Sequence, residues 1–311
     1  MTEAEESAAS ATAEPTRCGF VAIIGVPNTG KSTLVNTLVG AKIAIVTPKV
    51  QTTRMRLLGI ALHGAAQIVL VDTPGIFRPK RRLERAMVKA AWKGAADADE
   101  IVVLVDATAN PPEAETLDIV AGLKGAGRTA ILALNKSDQA PRRNLLELAA
   151  SLGAEGIFSE TFMISALTGD GVMDLKDALA RRLPESPWLY PEDQISDAPM
   201  RFLAAEVSRE QLFLQLHQEL PYAATVETEN WEEFQDGSLK ISQIIYVQRE
   251  GQKAIVLGKA GARIRSIRLA AQAELETMLS RRVHLFLFVK LRENWTDDPA
   301  FYREMGLDFE A

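Results

Sequence analysis

Short apolar runs alternate with amphipathic stretches between residues 19 and 182. Runs of this length are typical of buried strands, and apolar residues spaced three or four apart are typical of helices. The alternation predicts an α/β fold, a doubly wound and mostly parallel sheet with helices on both faces. A turn at residues 63–65 predicts that the second and third strands form an antiparallel hairpin. The predicted strands are Phe20–Ile24, Arg56–Leu62, Gln67–Val71, Ile101–Val105, Ala130–Leu134 and Thr161–Ile164, and predicted helices include Arg142–Leu152 and Val172–Leu183.

The pattern changes after residue 183, where Pro184, Pro187, Pro191 and Pro199 fall within sixteen residues. Such spacing is typical of a stiff linker rather than packed structure. Residues 200–311 then predict a smaller α/β unit. Its predicted elements are a helix at Met200–Glu219, strands at Tyr222–Trp231, Ser242–Arg249 and Lys253–Leu257, a helix at Ala262–Ser280 and a strand at Val283–Leu291. The chain is therefore divided into a disordered tail (1–17), a larger domain (18–183), a linker (184–199) and a smaller domain (200–311).

Composition narrows the classes of function. The 311 residues suffice for about two domains. A net charge of −6 excludes a wholly basic nucleic-acid binder, although a local basic patch is compatible with it. Cys18 is the sole cysteine, so no internal disulfide forms. No apolar run approaches the roughly 18 residues of a membrane span, and the first residues lack the features of a secretory signal.

Residues 25–32 follow the first predicted strand and have the pattern G-x-x-x-x-G-K-S. A strand that turns through two glycines into a helix presents backbone N–H groups that fit the phosphates of a nucleotide. Lys31 would reach the β- and γ-phosphates, and the Ser32 hydroxyl would bind Mg²⁺. The predicted phosphate-loop residues are Gly25, Val26, Pro27, Asn28, Thr29, Gly30, Lys31, Ser32 and Thr33.

Three more motifs follow predicted strands, in the order DTPG (72–75), NKSD (135–138) and SAL (165–167). Asp72 would hold Mg²⁺ through water, and the Gly75 N–H would meet the γ-phosphate. The Asp138 carboxylate can accept hydrogen bonds from N1–H and the 2-amino group of guanine, two donors that adenine lacks. Lys136 would lie along the base, and Asn135 would tie this loop to the phosphate loop. From the last motif, Ser165 and Ala166 are predicted at the base, with the Ala166 N–H meeting guanine O6.

These four motifs, in this order, resemble the translation-factor-like GTPases over residues 19–182. The resemblance implies a switch threonine between the phosphate loop and DTPG, where the sequence has QTTR (51–54). Thr53 is the expected Mg²⁺ ligand, with Thr52 as the alternative. Ile76 stands where Ras-like enzymes carry a water-orienting glutamine, so hydrolysis is expected to be slow or assisted. The resemblance offers Asn28 as a ligand of an assisting K⁺ ion, and the alternative is that Asn28 only packs the loop.

A G-x-x-G sequence, GKAG (258–261), lies between a predicted strand and a predicted helix. In KH domains such a loop clamps single-stranded RNA. Ten basic and three acidic residues between positions 249 and 292 support RNA binding, because they give a local charge of +7. The alternative is an ordinary turn with solvated arginines. The predicted RNA-binding residues are Gly258, Lys259, Ala260, Gly261, Arg263 and Arg265, whereas Ile264, Ile267, Ala271, Leu275 and Leu279 are predicted to be core.

A GTPase domain, a proline-rich linker and a KH-like domain of type II together resemble the Era family of bacterial GTPases. The segments that carry this resemblance are QTTR, DTPG, NKSD, AAE (204–206), ELPY (219–222), GKAG and VHLFLFVKLRENW (283–295). Ala260 departs from the family, in which many members have glycine. The resemblance implies a monomeric cytoplasmic GTPase that uses GTP or GDP with Mg²⁺, catalytic roles for Lys31, Thr53, Gly75 and Asn28, and possible K⁺.

The resemblance also implies partners: 16S ribosomal RNA near its 3′ end, the 30S subunit during its assembly, and a peripheral association with the inner membrane. Two alternatives stay open at this point. One is a P-loop kinase, which would not need NKSD. The other is a GTP-dependent RNA-binding module with negligible hydrolysis, which Ile76 keeps open.

Overall fold

The structure, a computed structural model, describes residues 15–49, 52–216 and 220–311. Most of the tail predicted at 1–17 lies outside the described residues, as do Gln51 of QTTR and Glu219 of ELPY. The described residues form two α/β units, built on a six-stranded and a three-stranded sheet.

The larger unit has the predicted alternation of strands and helices. Its sheet has the order β2-β3-β1-β4-β5-β6, in which only the β2–β3 pairing is antiparallel among the described strands. The predicted hairpin and mostly parallel sheet are therefore confirmed. The elements are β1 (Arg17–Ile24), α1 (Lys31–Val39), β2 (Leu57–His63), β3 (Ala66–Asp72), α2 (Arg82–Asp97), β4 (Glu100–Asp106), α3 (Ala114–Gly125), β5 (Ala130–Asn135), α4 (Arg142–Gly153), β6 (Phe158–Met163) and α5 (Val172–Arg182).

The sheet is buried on both faces, as its continuous apolar strands predict. Successive residues of a strand point to opposite faces, so β1 contributes to two cores. Val21 and Ile23 pack with residues of α1 and α5, whereas Ala22 and Ile24 pack with residues of α2, α3 and α4. This arrangement brings the carboxyl ends of β1, β3, β5 and β6 to one edge of the sheet, where ligands bind in such folds.

The prediction that residues 184–199 form an unpacked linker is wrong. Trp188 and Tyr190 pack against a cluster of buried residues on β1, β2 and β3. The Gln67 side chain accepts hydrogen bonds from the backbone N–H groups of Leu189 and Tyr190, at 2.9 and 3.0 Å. Ile60 donates its N–H to the carbonyl of Ile195 across 2.9 Å, so the segment also covers the edge strand β2. Prolines lack the donor for a continuous ladder, but the residues between them supply aromatic packing and hydrogen bonds.

The smaller unit has a three-stranded sheet of order β7-β8-β9, with β7 and β8 antiparallel and β8 and β9 parallel. Helices α6 and α8 pack on one face of it. Of the five predicted core positions of α8, Ile267, Ala271 and Leu275 are fully buried, whereas Ile264 and Leu279 are partly buried and pack against the same cores. The elements are α6 (Met200–Gln215), β7 (Thr225–Glu233), β8 (Leu239–Val247), α7 (Glu250–Leu257), α8 (Ala262–Leu279), β9 (Val283–Leu291) and α9 (Pro299–Glu304).

The strand predicted at Lys253–Leu257 is a helix, α7, so GKAG joins two helices. The Gln252 Oε1 atom accepts hydrogen bonds from the N–H groups of Gln248 and Arg249, at 2.9 and 3.1 Å, which caps the start of the helix. Only Val256 of the run Ala254–Leu257 is buried. A run of four apolar residues cannot distinguish a strand from a helix, because it is too short to show periodicity.

The C-terminal segment returns to the larger unit, an arrangement that the sequence did not predict. Trp295, Phe301 and Tyr302 pack in one buried cluster with Leu83 and Met87 of α2. The C-terminal segment therefore lies against α2, the helix that follows the DTPG motif.

Candidate nucleotide site and RNA-binding loop

The four predicted nucleotide motifs line a single cleft of about 540 Å³ at the carboxyl edge of the larger sheet. Behind its lining lie four further predicted residues, which are buried: Gly25, Val26, Thr29 and Asp72. The predicted residues in the lining are Pro27, Asn28, Gly30, Lys31, Ser32, Thr33, Thr53, Gly75, Asn135, Lys136, Asp138, Ser165 and Ala166.

The phosphate loop needs its glycines for two physical reasons. Gly30 has φ 97°, a left-handed conformation that favours glycine. A Cβ atom on Gly30 would come within 2.4 Å of Asn135 Nδ2, so the loop could not approach β5 with any other residue there. Asn28 also has a positive φ of 65°, which asparagine tolerates better than most residues.

Lys31 begins α1 and is buried beneath the loop. Its Nζ atom donates to the backbone oxygens of Gly25 and Val26, at 3.2 and 2.8 Å. Burial lowers the pKa of Lys31 to about 8, and the nearby Asp72 carboxylate acts in the opposite direction. The ammonium therefore remains protonated at pH 7, with its charge held where phosphates would sit against the loop.

Ser32, Thr53 and Asp72 converge although they come from three separate motifs. The Ser32 hydroxyl lies 2.9 Å from the Thr53 hydroxyl and 2.9 Å from Asp72 Oδ2, while Thr53 Oγ1 lies 3.2 Å from that oxygen. The remaining Asp72 oxygen, Oδ1, is buried and has no hydrogen-bond partner among the described residues. An oxygen-rich group with an orphaned carboxylate oxygen fits Mg²⁺, which prefers such ligands.

The alternative switch residue, Thr52, faces elsewhere. Its hydroxyl lies 2.7 Å from the Thr47 hydroxyl and donates to the Lys49 carbonyl across 2.7 Å.

Burial raises the pKa of Asp72 to about 6, opposed by the charge of Lys31 and hydrogen bonds from Ser32 and Thr53. Asp72 is thus mainly ionised at pH 7, as a metal ligand must be.

Gly75 lies against the phosphate loop, and a Cβ atom there would come within 2.9 Å of Pro27. The next residue, Ile76, donates its N–H to the Gly25 carbonyl across 3.0 Å. Its side chain is buried in the core with Ala91 and Ala95 of α2. Ile76 therefore contributes no polar group to the cleft.

The Asn135 side chain joins three loops. Its Nδ2 donates to the Thr29 carbonyl across 2.7 Å, and its Oδ1 accepts from the Ala166 N–H across 2.8 Å. The tie between Asn135 and the phosphate loop is as the sequence predicts. The Ala166 N–H was predicted to meet guanine O6, but it already has an acceptor here, so a base oxygen would share this donor.

Asp138 lies at the open mouth of the cleft. Hydrogen bonds with Ser165 and then with Gln139 hold the pKa of Asp138 below its usual range. Lys136 has φ 64° and pairs with Asp106 at the end of β4, which fixes its stem beside the cleft. The exposed, ionised Asp138 carboxylate is available to accept hydrogen bonds from a ligand.

The sequence analysis assigned no role to another part of the cleft lining. It consists of residues between α1 and β2 and of one neighbour of NKSD: Ile45, Val46, Thr47, Pro48, Lys49 and Gln139. No motif marks residues 45–49. Their position between the phosphate loop and QTTR was the one available signal.

The GKAG loop lies apart from this cleft, beside a second cavity of about 560 Å³. Gly258 has φ 72°, and a Cβ atom there would come within 2.7 Å of Arg263 Cβ. Ala260 also has a positive φ, 51°, so the residue that departs from the family keeps a left-handed conformation. Lys259, Arg263 and Ala260 are exposed, and the first turn of α8 carries no acidic residue.

The basic cluster separates into two parts. Arg281, Lys290 and Arg292 form ion pairs with glutamates of β7. Within the described parts of the chain, no ion pair involves Lys259, Arg263 or Arg265. Unpaired positive charge therefore lies at GKAG and the start of α8, where the predicted RNA-binding residues are, and also at Arg249, Arg268 and Arg282, which form no ion pair among the described residues.

Comparison with known proteins assigns a family to each of the two domains. Residues 20–136 match a family described as 50S ribosome-binding GTPase, and residues 219–296 match the KH domain family. The chain is 59% identical over 310 residues to GTPase Era of Sinorhizobium medicae (strain WSM419), covering 99% of each chain. It is 60% identical over 310 residues to GTPase Era of Rhizobium meliloti (strain 1021), covering 99% of this chain and 98% of that one.

Two solved structures resemble the whole fold. One is Era in complex with MgGDPNP and nucleotides 1506–1542 of 16S ribosomal RNA, with a TM-score of 0.88. The other is a single-residue variant of Aquifex aeolicus Era bound to GDP·AlF4⁻, with a TM-score of 0.87. Each is 37% identical to this chain and covers 94% of it and 99% of its own length. By identity over nearly its whole length and by the two domains it carries, the chain belongs to the Era family of GTPases.

Proposed function

We propose that the protein is a GTP-hydrolysing switch that binds small-subunit ribosomal RNA near its 3′ end. The observation that carries this proposal is the single cleft in which all four guanine-nucleotide motifs meet, in a chain that also presents a KH loop. The relative solved with nucleotides 1506–1542 of 16S RNA supports the choice of RNA.

Guanine would be selected at the mouth of the cleft. Asp138 would accept hydrogen bonds from N1–H and the 2-amino group, and Lys136 would lie along the base face. Adenine offers neither donor, so it would leave the carboxylate without partners. Ser165 supports this role because its hydroxyl helps to keep Asp138 ionised.

The phosphates would lie against Pro27–Ser32, held by backbone N–H groups and the buried Lys31 charge. Mg²⁺ would be held by Ser32 and Thr53, with Asp72 acting through water. When bound, the ion neutralises charge that develops on the phosphate oxygens. Thr53 and Gly75 would then register the γ-phosphate, because both lie at the phosphate end of the cleft.

Hydrolysis would need help, since Ile76 offers no group to orient water. Asn28 is exposed at the rim of the phosphate loop, and we assign its side-chain oxygen as a ligand for K⁺. A cation there would stabilise the same transition-state charge as an arginine finger. The burial of the Ile76 side chain favours an alternative function. In that alternative the protein is a GTP-dependent RNA-binding module with negligible turnover.

RNA would bind at GKAG and the first turn of α8. The loop conformation leaves Lys259 and Ala260 exposed, and the N-terminus of α8 adds partial positive charge. A role in 30S assembly, a monomeric state and a peripheral membrane association stay predictions from the family resemblance. None of the helices that the structure describes is long and apolar enough to cross a membrane.

The guanine assignment is tested by Asp138→Asn. Replacing one acceptor by an amide donor should lower GTP affinity at least about 100-fold, because two charge-assisted hydrogen bonds are lost. The same change should raise affinity for XTP, whose base offers an acceptor at position 2. Titration with fluorescent nucleotides measures both. Asp170→Asn, an equal change in the neighbouring loop, should leave affinity unaltered, and unchanged GTP affinity in Asp138→Asn would refute the assignment.

The RNA surface is tested by the double variant Lys259→Glu with Ala260→Asp. Aspartate tolerates the left-handed conformation of residue 260, so the loop should keep its shape. Binding of a 16S 3′-end oligonucleotide should fall at least about 100-fold in anisotropy titrations, while GTP turnover persists. Lys240→Glu, a charge reversal on β8 of the same domain, is the matched control. Equal losses of RNA affinity in the double variant and in Lys240→Glu would show that the RNA binds outside GKAG.

The K⁺ assignment is tested by measuring turnover in K⁺ and Na⁺ buffers of equal ionic strength. We expect K⁺ to accelerate hydrolysis at least about tenfold. Asn28→Gly keeps the left-handed backbone and removes the ligand oxygen, so it should abolish the difference. Equal rates in the two salts would exclude K⁺, and negligible turnover in both would favour the non-hydrolysing rival.

A further inference from the structure

Thr53 lies in a segment that has no regular secondary structure. Residues 52–56 precede β2 and form neither helix nor strand. Yet the Thr53 hydroxyl is held 2.9 Å from Ser32 Oγ and 3.2 Å from Asp72 Oδ2. Since no helix or strand fixes this position, contacts of its neighbours must do so.

On one side, Thr52 is held by Arg209 of α6. The Arg209 Nη2 atom donates to the Thr52 carbonyl. Two further contacts hold the same guanidinium. Its Nε donates to Glu206 Oε1 across 2.6 Å, and its Cζ atom lies 5.1 Å from the centre of the Phe213 ring. The Arg209 side chain is 2% exposed, so it is a rigid anchor. It belongs to the smaller unit, residues 200–311, which we call the KH-containing unit.

On the other side, the Arg54 guanidinium is inserted into that unit. It donates to the carbonyls of Ala224 and Tyr222, at 2.9 and 3.3 Å. It also lies 5.7 Å from the Phe213 ring and 5.6 Å from the Trp295 ring. Burial, and next the charge of Arg209, lower the pKa of Arg54 to about 9, so it keeps its charge at pH 7.

The preceding residues of the cleft wall are held by the same helix. Glu210 Oε1 accepts the Val46 N–H across 2.7 Å, and Lys42 pairs with Glu210 and with Glu274 of α8. Lys49 donates to the Phe213 carbonyl. Helix α6 thus contacts Val46, Lys49 and Thr52 of the cleft lining, although it lies in the other domain.

We infer that Arg209 and Arg54 are positioning residues that hold the Thr53 hydroxyl beside Ser32 and Asp72, so that the KH-containing unit helps to build the Mg²⁺–GTP site. The inference rests on the metal-binding role proposed for Thr53. Displacing a positioned group by about 1 Å can cost two orders of magnitude in rate. GDP has no γ-phosphate for Thr53 to register, so its binding should not depend on the two arginines.

The test compares Arg209→Lys, Thr53→Ala and the double variant with the unaltered full chain. Lysine keeps the positive charge beside Glu206 but loses the planar fork that reaches both partners. We expect Arg209→Lys to weaken binding of a non-hydrolysable GTP analogue with Mg²⁺ about tenfold, and to raise the half-saturating Mg²⁺ concentration about tenfold. GDP affinity should change less than about twofold.

The double variant separates positioning from a general structural role. If Arg209 acts through Thr53, adding Arg209→Lys to Thr53→Ala should cause no further loss, whereas independent effects would add. Lys89→Ala is the control, because it breaks an exposed ion pair with Asp308 in the C-terminal segment and leaves the contacts of Thr53 intact. This control should behave as the unaltered protein does.

The outcomes distinguish the inference from the function on which it rests. If Thr53→Ala leaves the ratio of analogue to GDP affinity unchanged, the metal role of Thr53 is wrong and the inference falls with it. If Thr53→Ala alters that ratio but Arg209→Lys does not, or if the two losses add, the inference alone is overturned. Retained GDP binding shows that the GTPase domain is folded. If Arg209→Lys does not fold, Arg54→Lys takes its place and must weaken analogue binding while leaving GDP affinity unchanged.

Discussion

The nucleotide cleft depends on the hydrogen bonds that the Asn135 side chain makes to two loops. Its amide joins the phosphate loop at Thr29 to the base loop at Ala166, so three strand ends are held as one surface. The same contact explains the glycine at position 30, since a Cβ atom there would collide with Asn135 Nδ2. The loops predicted to bind the phosphates and the base are therefore parts of one hydrogen-bonded arrangement at the carboxyl edge of the sheet. Loops that are fixed in this way need little reorganisation when a ligand binds.

The phosphate end of the cleft depends more on contacts with the other domain than the base end does. Thr53 is fixed through Arg209 and Arg54, whose anchors lie in the KH-containing unit. Trp295 connects this contact to α2, the helix that follows DTPG, because it lies over Arg54 and also packs in one cluster with Leu83. The segment that holds Thr53 and the helix after DTPG thus both contact the domain that would bind RNA. Allosteric coupling requires such shared elements, which two ligands can bias in the same direction.

Much of this organisation could be predicted from the sequence because it depends on local chemistry. Glycines at 25 and 30, the carboxylates at 72 and 138 and the apolar strands before them have direct physical meanings, and the structure brings them together. The helix Glu250–Leu257 was mistaken for a strand because four apolar residues show no period. The packing of residues 184–199 depends on Gln67 and on Trp188, which are distant in the sequence from one another. Arg54 belongs to QTTR, but that motif does not indicate a contact across domains, and Arg209 belongs to no motif. The support of Thr53 by these two arginines could therefore not be predicted from the sequence.

We expect the nucleotide in the cleft to alter how the KH-containing unit binds RNA. The most direct test is the affinity of the unaltered protein for a 16S 3′-end RNA, measured by anisotropy with saturating GDP and with a non-hydrolysable GTP analogue, each with Mg²⁺. We expect binding to be at least about fivefold tighter with the analogue, which is the lower range of typical allosteric coupling. Equal affinities in the two nucleotide states would contradict it.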